Sequence, residues 1–389
     1  MDYHVQTGGP DFDLDEVVDL VSRIYGPNYY DAKRIHRWLL NREPTLSPDN
    51  FVLARAKNGD LIGLVRIAIR GLHFGTSTLA CGGISTVGVH GDWRRRGIAT
   101  LLMREADEAM RQKGLDFAFL HARQVLDGFY TRVGYWGINR YLHLEMVNSA
   151  SNGCELLTVP LPEESVGKIE LAYDFEYGGL AGSMVRNRDM WRFLLGKAAL
   201  VRPPFLVHEC RVKSSGEFAG YLVVSGDTLH EAVIEKGHLG SVPKVLEDLK
   251  VRYLAIHPFH PLFVYLRSTY STTLTERFAV DGGYMGKILN MKSCLRKYAN
   301  SIREKWQGAG MPIRNMRLCG FELDFDRGLV QETEEEEDIL FADQRTCLWF
   351  LLGMLQPDQM AGVKIHSKFR SLELINLATG FHTSAWDAF

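Results

Sequence analysis

Ser85-Thr-Val-Gly-Val-His-Gly-Asp-Trp-Arg-Arg-Arg-Gly-Ile-Ala-Thr100 decides the fold. Ile84 to Val89 reads as a strand, and Ile98, Leu101, Leu102, Ala106 and Ala109 repeat at helical spacing up to Met110. Between them lies a basic, glycine-containing turn. A strand that runs through such a turn directly into a helix leaves several backbone amides pointing outward, with the positive end of the helix dipole behind them. Arg94, Arg95 and Arg96 add charge, Gly97 admits a close approach, and the small Ala99 keeps the first helical turn uncrowded. The segment reads as an anion cradle that suits a pyrophosphate. A basic surface turn without a ligand is the plainer alternative for an isolated Arg-x-x-Gly-x-Ala.

Upstream, Leu14, Val17, Val18, Val21 and Ile24 repeat as an amphipathic helix behind the possible caps Asp11 and Asp13, and a second helical stretch carries Ile35, Trp38 and Leu39. Asn58-Gly59 is a strong hairpin signal between Phe51–Lys57 and Leu61–Arg70. Downstream, Phe117–Leu120 reads as a buried strand, Val125–Val133 as a helix, and the alternating Tyr141–Met146 as the half-exposed strand that closes this first unit. The Ser/Asn-rich Asn148–Gly153 is a natural linker. A second α/β unit follows, with a helix around Trp191-Arg192-Phe193 and the strand pair Phe205–Lys213 and Gly220–Val224. A third, smaller unit contains strand-like Met316–Phe325, the acid run Glu332–Asp338 as a solvated loop, the apolar helix Cys347–Leu355 and a helical candidate near Leu372–Leu377.

The 389 residues suit two or three domains, and the 46% hydrophobic and 24% charged shares are those of an ordinary globular chain. A formal charge of -2 gives no bulk positive field for nucleic acid. Cys81, Cys154, Cys210, Cys294, Cys319 and Cys347 contain no closely spaced pair, which points to reduced thiols rather than a zinc cluster or a disulfide framework. His257 and His260 lack further ligands at metal spacing, so no metal is expected. Met1–Pro10 is not a signal peptide, and the longest apolar run falls short of the ~20 residues that cross a bilayer, so a cytoplasmic protein without membrane contact is expected.

Arg94-x-x-Gly97-x-Ala99 resembles the cofactor motif of GNAT acetyltransferases, Gln/Arg-x-x-Gly-x-Gly/Ala after a central strand. The resemblance implies acetyl-CoA as co-substrate, with the Val87-Gly88-Val89 backbone along the pantetheine arm and the amides of Arg94, Arg95, Arg96, Gly97, Ile98, Ala99 and Thr100 around the pyrophosphate. Gly91 stands where many relatives have proline. In Leu126-Asp-Gly-Phe-Tyr-Thr-Arg-Val-Gly-Tyr-Trp136, Tyr130 occupies the place of the family's tyrosine that protonates the leaving thiolate. A core tyrosine is the alternative.

Val87-Gly-Val-x-x-x-x-Arg-Arg-Arg-Gly97, Tyr130-x-Arg-Val-Gly-Tyr135, the length and the final phenylalanine are together similar to the Eis (enhanced intracellular survival) group, which contains aminoglycoside acetyltransferases. That likeness implies an α/β (α+β) architecture. It comprises a catalytic GNAT domain over 1–148, a second GNAT-like domain without cofactor motif over 149–290, both with mixed central sheets flanked by helices, and a C-terminal sterol-carrier-protein-like α+β domain over 291–389. It also implies a homohexamer and a terminal carboxylate on Phe389 that returns to the active site as base. A terminal carboxyl, with a reference pKa of about 3.3–3.7, is charged at neutral pH and able to accept a proton. A frayed tail is the alternative. His121 is a rival base, although a packed strand-end histidine is the preferred reading.

The acceptor pocket is expected beside Tyr25, Tyr29 and Tyr30, with His121 and Trp386, and with Asp13, Asp15, Glu16 and Asp387 as sources of negative charge for an amine. The expected reaction moves acetyl from acetyl-CoA to a primary amine of a small molecule, an aminoglycoside or other polyamine. A protein lysine or a biosynthetic amine is the alternative acceptor, and a non-catalytic CoA-binding regulatory protein the alternative class.

Overall fold

Alternating and helical periodicities become strands and helices in nearly the expected order. In the computed structural model, residues 2–9, 12–26, 29–138, 140–146, 154–201, 203–278, 283–306, 314–354, 360–366, 382, 384 and 387 are described. The first part of the chain runs β1 (Tyr3–Thr7), α1 (Leu14–Tyr25), α2 (Tyr29–Arg42), β2 (Phe51–Ala56), β3 (Leu61–Phe74), β4 (Ser77–Val89), α3 (Ile98–Gln112), β5 (Phe117–Ala122), α4 (Asp127–Arg132), β6 (Trp136–Gly137) and β7 (Arg140–Met146). The second part continues β8 (Leu156–Pro160), α5 (Val166–Tyr177), α6 (Arg188–Ala198), β9 (Leu206–Val212), β10 (Phe218–Ser225), β11 (Thr228–Ile234), α7 (Val242–Asp248), β12 (Tyr253–Leu254), α8 (Pro261–Thr269), β13 (Thr272–Phe278) and β14 (Gly283–Ile288). The last part holds α9 (Met291–Trp306), β15 (Asn315–Leu318), β16 (Phe321–Asp324), β17 (Leu329–Glu332), β18 (Ile339–Leu340), α10 (Gln344–Leu351) and β19 (Lys364–Ile365).

Two seven-stranded sheets share one topology. Their orders are β1-β2-β3-β4-β5-β14-β6 and β8-β9-β10-β11-β12-β7-β13. In each, the fourth and fifth strands are parallel, β4 with β5 and β11 with β12, while the other pairings are antiparallel. The sixth place is filled reciprocally. β7 lies between β12 and β13 in the second sheet, and β14 lies between β5 and β6 in the first. Tyr141–Met146 therefore does not close the first unit, as its position in the sequence suggested. Alternation encodes one buried face and says nothing about which sheet receives it.

α1 starts on Asp13, whose side chain accepts from the Asp15 amide at 2.8 Å, and it buries Val17, Val18, Leu20 and Val21 against β2 and β3. α3 buries Ile98, Leu102, Met103, Ala106 and Met110 on the other face of the sheet. Full burial of each large apolar side chain is worth about 1.5–3 kcal/mol, which fixes the helix N-terminus relative to β4. The second sheet packs on α7 and α8. A fourth cluster, with Trp191, Tyr221, Tyr298 and Trp349, ties both sheets to the last part of the chain.

That part is a five-stranded sheet, β17-β16-β15-β18-β19, with α9 and α10. Met316–Phe325 is a hairpin rather than one strand, because Cys319 and Gly320 take φ values of 54° and 75° and turn the chain without an Asn-Gly signal. The acid run is only partly solvated, since Asp338 is buried and accepts from the Arg317 amide at 2.8 Å. Val125–Val133 is a 3-10 turn followed by the short α4. Although the cysteines are scattered in sequence, the fold brings Cys319 Sγ to 2.9 Å from Cys347 Sγ, both as free thiols. The expected Asn148–Gly153 linker and the helix near Leu372–Leu377 lie outside the described residues. Among the described residues, no helix is long and apolar enough to cross a membrane.

Candidate active site

The site begins with a broken register in β4. Gly63 and Leu64 pair with Val89 and Gly88, but Arg66 pairs with Ser85, so an extra residue bulges from β4. Thr86 takes φ 54°, an unusual backbone for a β-branched residue and one that clusters at functional positions. On the other edge, β4 pairs with β5 only from Cys81 to Ile84. Beyond that point the parallel strands part, and a cavity of ≈ 410 Å³ opens between Ser85, Thr86 and Val87 on one side and Leu120, His121 and Arg123 on the other.

α1 and α2 roof the cavity with Tyr25, His36, Leu39 and Leu40, and Tyr130 of α4 joins its wall. The Tyr25 hydroxyl donates to the Val87 carbonyl, and burial pushes its pKa up to about 12. Tyr130 is buried with its ring edge-on to Phe129 at 5.0 Å, and desolvation, then the nearby Tyr25, raises its pKa well above that of a free phenol. Both phenols are therefore protonated at neutral pH. A protonated phenol in a cavity wall is a proton donor for a departing anion.

The turn after β4 has the geometry of an anion cradle. Gly91–Trp93 forms a 3-10 turn, Arg95 has φ 62°, and Gly97 has φ 79° at the N-cap of α3, without any side-chain cap. A residue other than glycine at that φ is strained, so Gly97 serves backbone geometry as well as access. The amides that open α3 have no partner within the helix. Arg94, Arg95 and Arg96 are exposed, with Arg94 Nε donating to the Val89 carbonyl at 3.1 Å and Arg96 held over the Trp93 ring at 4.8 Å. Ile98 anchors the first turn, and Ala99 and Thr100 are half-buried beside it. Gly88 has a packing role: a Cβ there would lie 2.8 Å from Ile24 Cδ1, so α1 rests directly on the strand.

Sequence reasoning passed over several cavity residues. Arg66 is buried, donating to Ser85 Oγ through Nε at 3.0 Å and Nη2 at 2.7 Å, and to Glu43 through Nη1 at 3.1 Å. Arg70 grips the same carboxylate at 2.8 and 2.9 Å. Burial alone would raise the Glu43 pKa, but Arg70 and then Arg66 reverse this and hold it at about 2. His36 lies 3.4 Å from Ser22 Oγ, and desolvation lowers its pKa. His121 packs edge-on against Tyr284 of β14 at 5.0 Å while facing the cavity, and desolvation lowers its pKa too. The readable signal was Arg66 and Arg70 on one face of an otherwise apolar strand.

The acids expected near the acceptor are engaged elsewhere. Asp13 caps α1, Asp15 pairs with Arg37, and Glu16 pairs with Arg55 at 2.6 Å. Asp387 is buried against Arg186, with contacts of 2.9 Å to Nε and Nη2, and Arg186 also binds Glu231. Tyr29 and Tyr30 open α2, and their side chains are not described; Trp386 and Phe389 lie outside the described residues. His257 and His260 each use Nδ1 to accept a nearby amide at 3.1 Å, a capping role. Among the described residues no group of three or more His, Cys, Asp or Glu stands where it could hold a metal.

Residues 9–138 match the family model of the acetyltransferase (GNAT) domain. No curated protein matches the sequence. Solved structures extend the likeness to the full length. A GCN5-related N-acetyltransferase from Anabaena variabilis, at 12% identity and TM-score 0.67, covers 97% of this chain and 96% of its own. Eis1 from Mycobacterium abscessus, at 15% and 0.64, and a GCN5-related N-acetyltransferase from Kribbella flavida, at 15% and 0.62, each cover 100% of both chains. At such identities the likeness speaks for the fold. Parted strands, an amide cradle at a helix N-terminus and a domain model that matches residues 9–138 lead to one conclusion: this part of the chain has the fold and the sequence match of an acetyltransferase (GNAT) domain, and the protein is an acyltransferase.

Proposed function

We propose that the protein moves acetyl from acetyl-CoA to a primary amine of a small molecule by direct attack. The observation that carries this reading is the order along β4, where Ser85, Thr86 and Val87 line the cavity and the Gly91–Gly97 turn follows Val89. A diphosphate on the turn, a thin arm along Val87–Val89 and a thioester at the bulge would bring the sulfur toward Tyr130. The amine lone pair forms the new N–C bond, and the C–S bonding pair leaves on sulfur. Tyr130 donates a proton to that thiolate. The proton shed by the amine passes to a base.

By the Eis resemblance the base is the terminal carboxylate of Phe389. Two observations favour a tail near the cavity. Ser384 is held through its carbonyl by the Tyr284 hydroxyl at 2.9 Å, and the Tyr284 ring packs on His121. Asp387 is fixed by Arg186, and Lys197 lies close enough to feel both Asp387 and the cavity's Arg66. The same resemblance supports a sterol-carrier-protein-like domain around the third sheet that serves architecture and substrate access, and a hexameric assembly. The test is CoA release with a panel of amines, for the wild type, Tyr130→Phe and a chain lacking Phe389. Loss of turnover in both variants is expected, and full activity in both would end this mechanism.

A further inference from the structure

We infer that the amine accepted in this cavity belongs to a molecule that also carries an oxyanion, a carboxylate or a phosphate; this rests on the acetyltransferase reading above. Two guanidinium groups face the cavity. Arg66 sits deep in the wall at 6% exposure, and Arg123 stands exposed at the rim. Among the described residues that line the cavity, none is an acid.

The acids of α1 are each taken up by other groups, and a Phe389 carboxylate acting as base would offset one guanidinium and leave the other. On α1, Asp15 is paired with Arg37, Glu16 with Arg55, and Asp19 with Arg23 and Lys33. Glu43 is already gripped by Arg66 and Arg70. Lys197, buried on α6, lies close enough to feel Arg66, Arg70, Glu43 and Asp387. The two histidines that face the cavity add no negative charge and are held toward their neutral form by desolvation.

A polycation would meet like charge at Arg66 and Arg123. An oxyanion gains instead, because a guanidinium offers paired N–H donors matched to carboxylate and phosphate. The same field helps the chemistry, since a nearby cation favours the unprotonated form of an incoming amine, which is the nucleophile.

Saturable acetyl-CoA binding is measured first by calorimetry; its absence removes the acetyltransferase reading itself. Rates are then compared within matched sets. One set is 4-aminobutyrate, butylamine and 1,4-diaminobutane; the other is glucosamine 6-phosphate and glucosamine, with kanamycin as a polycation. In at least one set, kcat/KM for the anionic member is expected to exceed that of its neutral partner by at least tenfold, with the polycation slowest. The set that responds tells carboxylate from phosphate. In Arg123→Glu the preference should fall tenfold or invert, a ratio that a change in CoA affinity alone does not move. Faster turnover of diaminobutane or kanamycin than of both anions, or an unchanged ratio in Arg123→Glu, overturns the inference. If no amine is turned over, heats of binding to the CoA-loaded protein decide. Heat with an anionic member alone upholds it, and heat with a cation or with none overturns it.

Discussion

Beside β4 in the first sheet there is a cavity; beside β11, its counterpart in the second sheet, there is side chain. Ser384 Oγ donates to the His230 carbonyl of β11 at 3.3 Å, and Asp387 reaches Arg186, which also holds Glu231 of β11. The Arg186 guanidinium is sandwiched over Tyr173 at 4.0 Å and Trp191 at 4.7 Å. The turns differ as well. After β4 three arginines are exposed and a left-handed glycine opens α3, whereas after β11 a 3-10 turn buries Leu239 and Ser241 and leads to Pro243, which lacks an amide donor. Equal topology thus carries a site in one half and a plug in the other. The chemistry is decided by what occupies the gap beside the fourth strand, and the fold only supplies the gap.

The largest effect should come from unplugging the second half. Arg186→Ala leaves Glu231 and Asp387 buried without their cation, and should cost about 3–5 kcal/mol in denaturant unfolding. A loss below 1 kcal/mol would mean that the plug is only packed and not charge-bound.

Next comes the charged wall of the first half. Glu43 has a folded pKa of about 2, below its unfolded value, so its contribution is full above pH ~4.5 and is lost as pH falls toward 2. Its shift corresponds to about 3 kcal/mol. Urea unfolding across that window should show the loss in the wild type and a smaller one in Glu43→Gln, which is less stable at pH 7.

Tyr130→Phe should lower kcat about a hundredfold, or ~2.7 kcal/mol, while calorimetric CoA affinity holds. Equal losses in binding and rate would point to packing instead. The smallest change is Gly97→Ala, which strains a φ of 79° and should cost about 1 kcal/mol, together with weaker CoA binding that is more sensitive to salt.

The cradle was legible because it is local: β4, the turn and α3 follow one another, and their periodicity and glycines are written in consecutive residues. The cavity was only half legible. Tyr25, His121 and Tyr130 were found, while His36, Arg66 and Arg123 come from three elements whose meeting depends on α2 crossing the parted strands. The acids proposed for the substrate looked available because sequence does not display their partners, such as Arg55 opposite Glu16. The reciprocal placing of β7 and β14 was not legible at all, since either strand satisfies the same alternation in either sheet.

That reciprocity bears on how the chain matures. Ala122 must wait for Gly283, 161 residues later, before the β5 edge is covered. At a synthesis rate of about 5–20 residues per second, the delay on the ribosome is on the order of ten to thirty seconds. Through that interval the β5 edge is open to other nascent chains, and it is closed by the return of a single six-residue strand.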